Sequence, residues 1–238
     1  MGKFHLKFDA KITEIIPRNK DVTSFRFNHP KGLMYKPGQY LLATIMMNGN
    51  NLMHPFSFSS SPTDEEFIEF TKKFTDSDYS KALKELTLSD YIQIDAPYGQ
   101  FTFTGEYPKI CMLSGGIGIT PFWSICKYCT DKKIESNIVL IYGCRSENDI
   151  AFYNELEKSQ AKNPHLKVFY VLTQPNNGWG GLTGTINVDL IKKQVGDYNE
   201  RIFYACGSPN MIESMKKVIE NLGLPRTQLK LEEIIGHT

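Results

Sequence analysis

The stretch from His54 to Pro62 reads HPFSFSSSP and holds four serines and two phenylalanines. A hydroxyl that leaves water needs a hydrogen-bond partner, so four of them in one short run imply that they face something polar. Taken alone, the run reads equally as a Ser-rich edge strand facing water. A second stretch, LSGGIGITPF at 113–122, sets Gly115, Gly116 and Gly118 just before Thr120 and Pro121. Glycines let the backbone turn tightly and approach a ligand with no Cβ in the way. Thr120 suits a helix cap, and Pro121 fits a first helical turn. A helix start offers unpaired N–H groups and a positive dipole end, which suits a pyrophosphate. A glycine-rich turn with no ligand is the alternative. An apolar strand before the loop and a helix after it supply the context that a ligand site needs. The pattern is not the G-x-G-x-x-G fingerprint, because Pro121 stands where its last glycine would be. The next strand, NIVLIYGCRS, ends in Arg145 and not in the acidic residue that grips a ribose in that fold. This is a dinucleotide site of another lineage.

Cysteine chemistry is the third possibility. The five cysteines are Cys111, Cys126, Cys129, Cys144 and Cys206. Their odd number and scattered spacing argue against a disulfide framework. Cys126 and Cys129 have redox or metal spacing, but they follow TPFWSI in a helical stretch and have no second pair to complete four ligands. No iron–sulfur spacing is present. The expectation is that the protein holds no metal and that these two are ordinary helix residues.

The elements that must position these residues divide into two sets. Up to about residue 100 the chain reads as strands: HLKFDAKITEII, DVTSFRFNHP, GQYLLATIMM, HPFSFSSSP, EFIEFTKKF and DYIQIDAPYGQF. Their β-branched and aromatic residues alternate in part, and short turns join them. One helix, DYSKALKEL from Asp78, splits the last two. Six strands so connected predict a small antiparallel β-barrel. After TGEYP at 104–108 the rhythm changes, and all-apolar strands alternate with amphipathic helices. That pattern predicts a parallel sheet covered on both faces, the doubly wound α/β arrangement. The boundary falls near Gly105, giving domains of 1–105 and 106–238.

The 238 residues carry a net charge of +1, so no broad field draws the chain to nucleic acid or anionic lipid. Basic pairs such as Lys132-Lys133 and Lys192-Lys193 sit among acidic residues and read as solvated helix faces. No apolar run approaches a membrane span. The start, MGKFHLKFDAK, has no signal-peptide core, and Leu6 stands where a myristoylation motif on Gly2 wants Ser or Thr. A soluble cytoplasmic protein is expected.

An antiparallel barrel with a Ser-rich strand, followed by a G-G-x-G-x-T-P nucleotide domain, resembles the ferredoxin–NADP⁺ reductase superfamily. Seven signals stand in that family's order: KPGQY (36–40), HPFSFSSSP (54–62), DSDYSKAL (76–83), APYGQF (96–101), GGIGITP (115–121), YGCRS (142–146) and CGSPNM (206–211). The family's flavin signature is R-x-Y-S-x-x-S, and here it reads His54-Pro55-Phe56-Ser57-Phe58-Ser59-Ser60. The resemblance implies FAD as cofactor, with His54, Pro55, Phe56, Ser57, Ser59 and Ser60 at the flavin. Ser57 matches the serine near flavin N5, and Phe56 the aromatic packed along the ring. His54 replaces the arginine that pairs with phosphate, as in the H-P-F-[ST] variant of ferric-reductase and NADPH-oxidase flavin domains. A flavin has polar edges on an apolar ring, so aromatic walls with interspersed hydroxyls suit it.

The same resemblance makes Ser77 and Ser80 a second phosphate clamp at a helix start, where a plain helix cap is the alternative. It puts Cys206 and Gly207 at the nicotinamide and gives Cys206, with Ser57, a catalytic place. Cys206 also reads as a small buried core residue. Arg145 and Ser146 match positions beside the adenosine ribose, and a cation there leans toward a 2′-phosphate and so toward NADPH over NADH. Many members carry a terminal aromatic over the flavin; this sequence offers Ile234, Ile235 or His237, or leaves the place open. The implied activity is a reductase passing hydride from NAD(P)H to FAD and then electrons to a separate acceptor, a ferredoxin- or flavodoxin-like protein or a small molecule. A diaphorase-like subunit of a larger complex and a flavin-binding regulator are the alternatives.

Overall fold

A computed structural model describes residues 5–47 and 49–234, and Ile235 and His237 lie outside them. The first six strands are β1 (Leu6–Pro17), β2 (Val22–Asn28), β3 (Tyr40–Met47), β4 (Asn50–Ser57), β5 (Phe67–Lys73) and β6 (Tyr91–Tyr98), with α1 (Asp78–Glu85) between the last two. They form one antiparallel sheet in the order β4-β3-β6-β1-β2-β5. A single bridge, Phe58 to Phe70, brings the ends of that order together. The sheet curls around Phe25, Phe27, Phe56, Phe58 and Phe70, and α1 adds Tyr79, Ala82 and Leu83 to that core. Tyr79 fixes the helix further by donating to the Ala43 carbonyl of β3 at 3.1 Å.

The second sheet is parallel, in the order β10-β9-β8-β7-β11-β12. Its strands are β7 (Lys109–Gly115), β8 (Asn137–Cys144), β9 (Leu166–Leu172), β10 (Leu182–Thr183), β11 (Ile202–Gly207) and β12 (Leu229–Glu233). The helices are α2 (Ile119–Asp131), α3 (Tyr153–Lys162), α4 (Val188–Gln194) and α5 (Pro209–Asn221). Alternate residues of β7 explain its unbroken apolar run. Ile110 and Met112 pack toward α2 and α3, while Cys111 and Leu113 pack toward α4 and α5. Cys126 and Cys129 lie fully buried in the first of these layers. Strand order reverses between β7 and β11, and such a switch point opens a crevice at the strands' C-terminal ends.

The junction between the two sheets is itself a core. Val22, Phe101 and Phe103 belong to the same apolar cluster as α2. Ser124 of α2 donates to the Ser60 carbonyl at 2.6 Å, and Tyr204 donates to the Thr102 carbonyl at 3.1 Å.

Several expectations change in detail. β4 ends at Ser57, so Ser59 and Ser60 follow the strand instead of lying in it. α2 begins at Ile119 with Gly118 at its N-cap, and Thr120 makes no cap; its hydroxyl donates back to the Ile117 carbonyl. α3 starts only at Tyr153, after Phe152 takes a left-handed conformation with φ of 60°. Gly118 is needed for a reason other than phosphate approach. A Cβ there would stand 2.2 Å from the Cys206 carbonyl oxygen, so the loop is pressed against β11.

Candidate functional site

Two cavities open along the junction. The first, about 190 Å³, is lined by Tyr40, His54, Pro55, Phe56 and Ser57 from the barrel. Thr71 of β5, with Ile117 of the glycine loop and Thr120 of α2, continues its wall, and Glu232, Glu233 and Ile234 close it. Phe56 stacks on Phe70 with ring centroids 4.5 Å apart, which holds the Phe56 ring in place. The result is an aromatic wall interspersed with Ser57, Thr71 and Thr120, a mix of apolar and polar residues that suits a flavin ring. His54 lies beside α1, its ring centroid 5.4 Å from that of Tyr79. The first-turn end of α1 is therefore close to His54.

The second cavity, about 630 Å³, lies over the switch point. Ser114, Gly115 and Gly116 form its floor, with Arg145 and Asp149 at one end and Ser208, Asn210 and Met211 at another. Gly116 has φ of +53°, and nothing lies within 4 Å of where its Cβ would be. The space beside Gly116 is therefore open, and a ligand can reach its backbone. Ser114 Oγ is buried there with no hydrogen-bond partner, as expected of a site whose partner is a ligand. The barrel supplies Asn19, Asp21, Val22 and Lys73 to the opposite wall. Ile117 lines both cavities, so a ligand in one meets a ligand in the other across this residue.

The remaining predicted residues take other positions. Ser59 Oγ donates to Glu69 Oε1 at 2.8 Å and meets Thr71 Oγ1 at 2.7 Å. Ser60 Oγ pairs with the Tyr35 hydroxyl at 2.9 Å and accepts from the Glu69 N–H. Both are buried, and their hydroxyls turn inward, away from the first cavity. Ser77 caps α1 by accepting from the Ser80 N–H, while the buried Ser80 hydroxyl is held by Thr75 and Ser77. Pro121 is buried on neither cavity.

Cys206 is fully buried, and burial pushes its thiol well above the usual range, so it offers no ready thiolate. Gly207 and Gly115 are both packed under Met211, whose sulfur a Cβ would strike at 2.4 and 2.1 Å. Arg145 is spanned by Asp149, with Nε to Oδ2 and a terminal nitrogen to Oδ1 both at 3.3 Å. Ser146 gives the same carboxylate its N–H and its hydroxyl. Burial raises the Asp149 carboxyl, but the Ser146 and Arg145 hydrogen bonds outweigh it and leave the pKa below the usual aspartate value.

Sequence reasoning missed Glu232. It sits beside Cys206 in the strand register, in a row that runs Tyr142, Ser114, Cys206, Glu232 across four strands. Burial pushes its carboxyl up to about 7. Only the apolar neighbours of this terminal strand had carried a signal.

The comparisons with known proteins follow the same division. Residues 9–103 match the family described as oxidoreductase FAD-binding domain, and residues 112–217 the oxidoreductase NAD-binding domain. NADH-cytochrome b5 reductase 1 of Mortierella alpina is 30% identical over 86% of this chain and 70% of its own length. The glycine betaine monooxygenase reductase subunit of Chromohalobacter salexigens is 27% identical over 98% of this chain, which spans 65% of that protein. For the subunit of that name from Pseudomonas aeruginosa the span is 64%. Among solved structures, the cytochrome b5 reductase domain of Ulva prolifera nitrate reductase superposes with a TM-score of 0.85, at 22% identity over 95% of this chain and 97% of that one. A ferredoxin NADP⁺ reductase from Neisseria gonorrhoeae with bound FAD and NADP gives 0.82, at 19% identity over 98% and 99%. At these identities the structures establish a shared fold.

The raised Glu232 carboxyl has a measurable consequence. Its folded pKa of about 7 lies above the unfolded value, so the native state binds the extra proton between the two. Stability is whole below the unfolded pKa and falls as pH rises through about 7. Glu232→Gln is expected to melt with the unsubstituted protein near pH 4.5 and above it at pH 8. A melting difference that stays constant across that range would mean that Glu232 titrates as an ordinary exposed carboxylate.

Proposed function

The chain belongs to the ferredoxin–NADP⁺ reductase family of FAD- and NAD(P)-binding reductases, and on that footing we propose that it passes reducing equivalents from a nicotinamide dinucleotide, through FAD, to a separate electron acceptor. The observation that carries the reading is the pair of cavities sharing Ile117, one walled by Phe56 and Ser57, the other floored by Gly116. FAD, when bound, supplies the hydride acceptor and releases electrons one or two at a time. The protein's part is positioning, in which small displacements are costly in rate. Phe56 and Tyr40, which line that cavity, would hold the ring, and the Ser57 hydroxyl would set geometry and charge at its reacting edge. His54 and the start of α1 hold the pyrophosphate. Gly116 and Ser114 would hold the dinucleotide from the nucleotide-domain side, and Lys73 and Asn19 from the barrel side. Cys206 supports the loop by packing and has no chemical role in this reading. We keep the division between domains at residue 105.

For the acceptor, the relatives' names support a redox protein such as cytochrome b5 or an oxygenase component. The relatives' names as reductase subunits support a second reading, a diaphorase-like subunit of a larger complex. No helix among the described residues is long and apolar enough to cross a membrane. A cytoplasmic location is supported by the five buried, unpaired cysteines.

The test starts from the purified protein. It is expected to be yellow, to release FAD on heating, and to oxidise NADH with ferricyanide as acceptor. FMN as the released flavin would remove the pyrophosphate clamp, and a flavin-loaded protein inert to both NADH and NADPH would leave only the regulator.

Coenzyme preference follows from the ribose end. With Arg145 engaged by Asp149, a 2′-phosphate meets a carboxylate where the guanidinium was to receive it. NADH is therefore the preferred donor, against the sequence-based lean toward NADPH. Asp149→Asn removes the like charge and frees Arg145, and a charge-assisted contact contributes roughly 1.5–3 kcal/mol. The ratio of kcat/KM for NADPH over NADH is expected to rise by about one decade or more. An unchanged ratio would mean that Arg145 and Asp149 do not face the ribose.

A further inference from the structure

Arg18 lies outside every motif, at the end of β1, yet its side chain is only 10% exposed and touches both domains. One terminal nitrogen reaches Glu69 of β5 at 3.2 and 3.0 Å. The other reaches Glu155 of α3, and Nε donates to Ser24 Oγ at 2.7 Å. The guanidinium also lies over the Phe152 ring, 4.5 Å from its centroid, just before α3. Phe152 is in turn stacked on Trp123 of α2. A planar fork can satisfy two carboxylates and an aromatic face at once, which an ammonium cannot.

What Arg18 holds is the turn that begins with it. Arg18 N–H and Asn19 N–H both donate to the Val22 carbonyl, and Asn19 Oδ1 takes the Asp21 N–H. Asn19, Asp21 and Val22 make up, with Lys73 of β5, the barrel's contribution to the second cavity. A turn belonging to one domain is thus a wall of a cavity whose floor belongs to the other. Its place over that floor depends on what ties it across.

We infer that Arg18 is a positioning residue: by clamping Glu69 to Glu155 and Phe152, it pins the 18–22 turn as a fixed wall of the dinucleotide cavity. The inference rests on the cofactor reading above for the cavity's occupant, but the pinning itself does not. The barrel-side anchor is sheltered, with the Glu69 side chain 2% exposed. The α3 side is half-open, with Glu155 at 36%, so this is the end to cut. Loss of pinning lets the wall sample positions in which the dinucleotide must order it on binding, and that cost appears in affinity.

The principal variant is Glu155→Gln, which leaves Arg18 and Glu69 paired. Arg18→Lys is the second, since it keeps a charge at Glu69 but cannot fork. Each is to be prepared as the FAD-loaded full chain, with NAD⁺ as the titrant and amide deuterium exchange as the second readout. Both are expected to weaken NAD⁺ binding by about threefold to tenfold and to speed exchange at 18–22, with flavin content and absorption spectrum unchanged. Combined, they should cost little more than the worse single change, because they cut the same tie. NAD⁺ affinity within twofold of the unsubstituted protein, whether or not the melting temperature falls, would reduce Arg18 to a stabilising contact and overturn the inference. Unchanged exchange at 18–22 would overturn it as well. If the unsubstituted protein binds no NAD⁺, the cofactor reading fails instead, and exchange alone decides whether the turn is pinned.

Discussion

A buried carboxylate organises this junction. Glu69 lies in the middle of β5, and a charge so sheltered persists only when it is paired and fully hydrogen-bonded. Arg18 and Arg26 supply the opposite charges, at 3.0 and 2.8 Å from Oε2, and Ser59 supplies a hydroxyl to Oε1. Thr71, two residues along the same face of β5, joins the network through Ser59 and Ser24. Removing one partner of such a pair typically costs about 3–5 kcal/mol, because the other charge is left stranded. The chain around Glu69 therefore has little freedom, and that chain includes the Ser-rich stretch, the turn after β1 and one wall of each cavity.

The consequence for chemistry is geometric. β5 sends Ile68 and Phe70 into the barrel core. Its other face carries Glu69 into the network, Thr71 to the first cavity and Lys73 to the second. One strand thus sets the spacing between the two sites. On the opposite side, the glycine loop is pressed onto β11 at Gly118 and left open at Gly116. Ile117, between those two glycines, is the point where the cavities touch. In the proposed reading a flavin ring and a nicotinamide would meet there, which requires both walls to hold still; the apolar junction of Val22, Phe101 and Phe122 packs the two domains together at that place.

Much of this was legible in the sequence because the elements obey local rules. Apolar runs without alternation marked β7, β8 and β11 as strands buried on both faces, and partial alternation marked the barrel. The glycine loop was legible because strand, turn and helix followed in order. The finer assignments failed where side-chain direction decides. Ser57 and Ser59 are both serines of one stretch, but β4 ends between them and only the fold tells which faces a cavity. Gly116 and Gly118 look alike in sequence, and only the approach of β11 separates the open one from the packed one. Arg145 offered a free cation until Asp149, four residues on, was seen to span it. Arg18, Lys73 and Glu232 carried no motif at all; their places come from contacts between distant parts of the chain.

Ser57 and Ser59 together test the account most directly. Stopped-flow reduction of the bound flavin by NADH, with urea unfolding alongside, should be measured for Ser57→Ala and Ser59→Ala. Ser57→Ala should slow reduction by about one to two decades with stability little changed, as expected for a lost hydrogen bond of roughly 1–3 kcal/mol at the reacting edge. Ser59→Ala should leave the rate nearly alone and lower stability by about 1–3 kcal/mol, because a buried carboxylate loses a donor. A reduction rate indifferent to Ser57, or one that depends on Ser59 while stability does not, would contradict the division of this stretch into one serine for the cofactor and one for the fold.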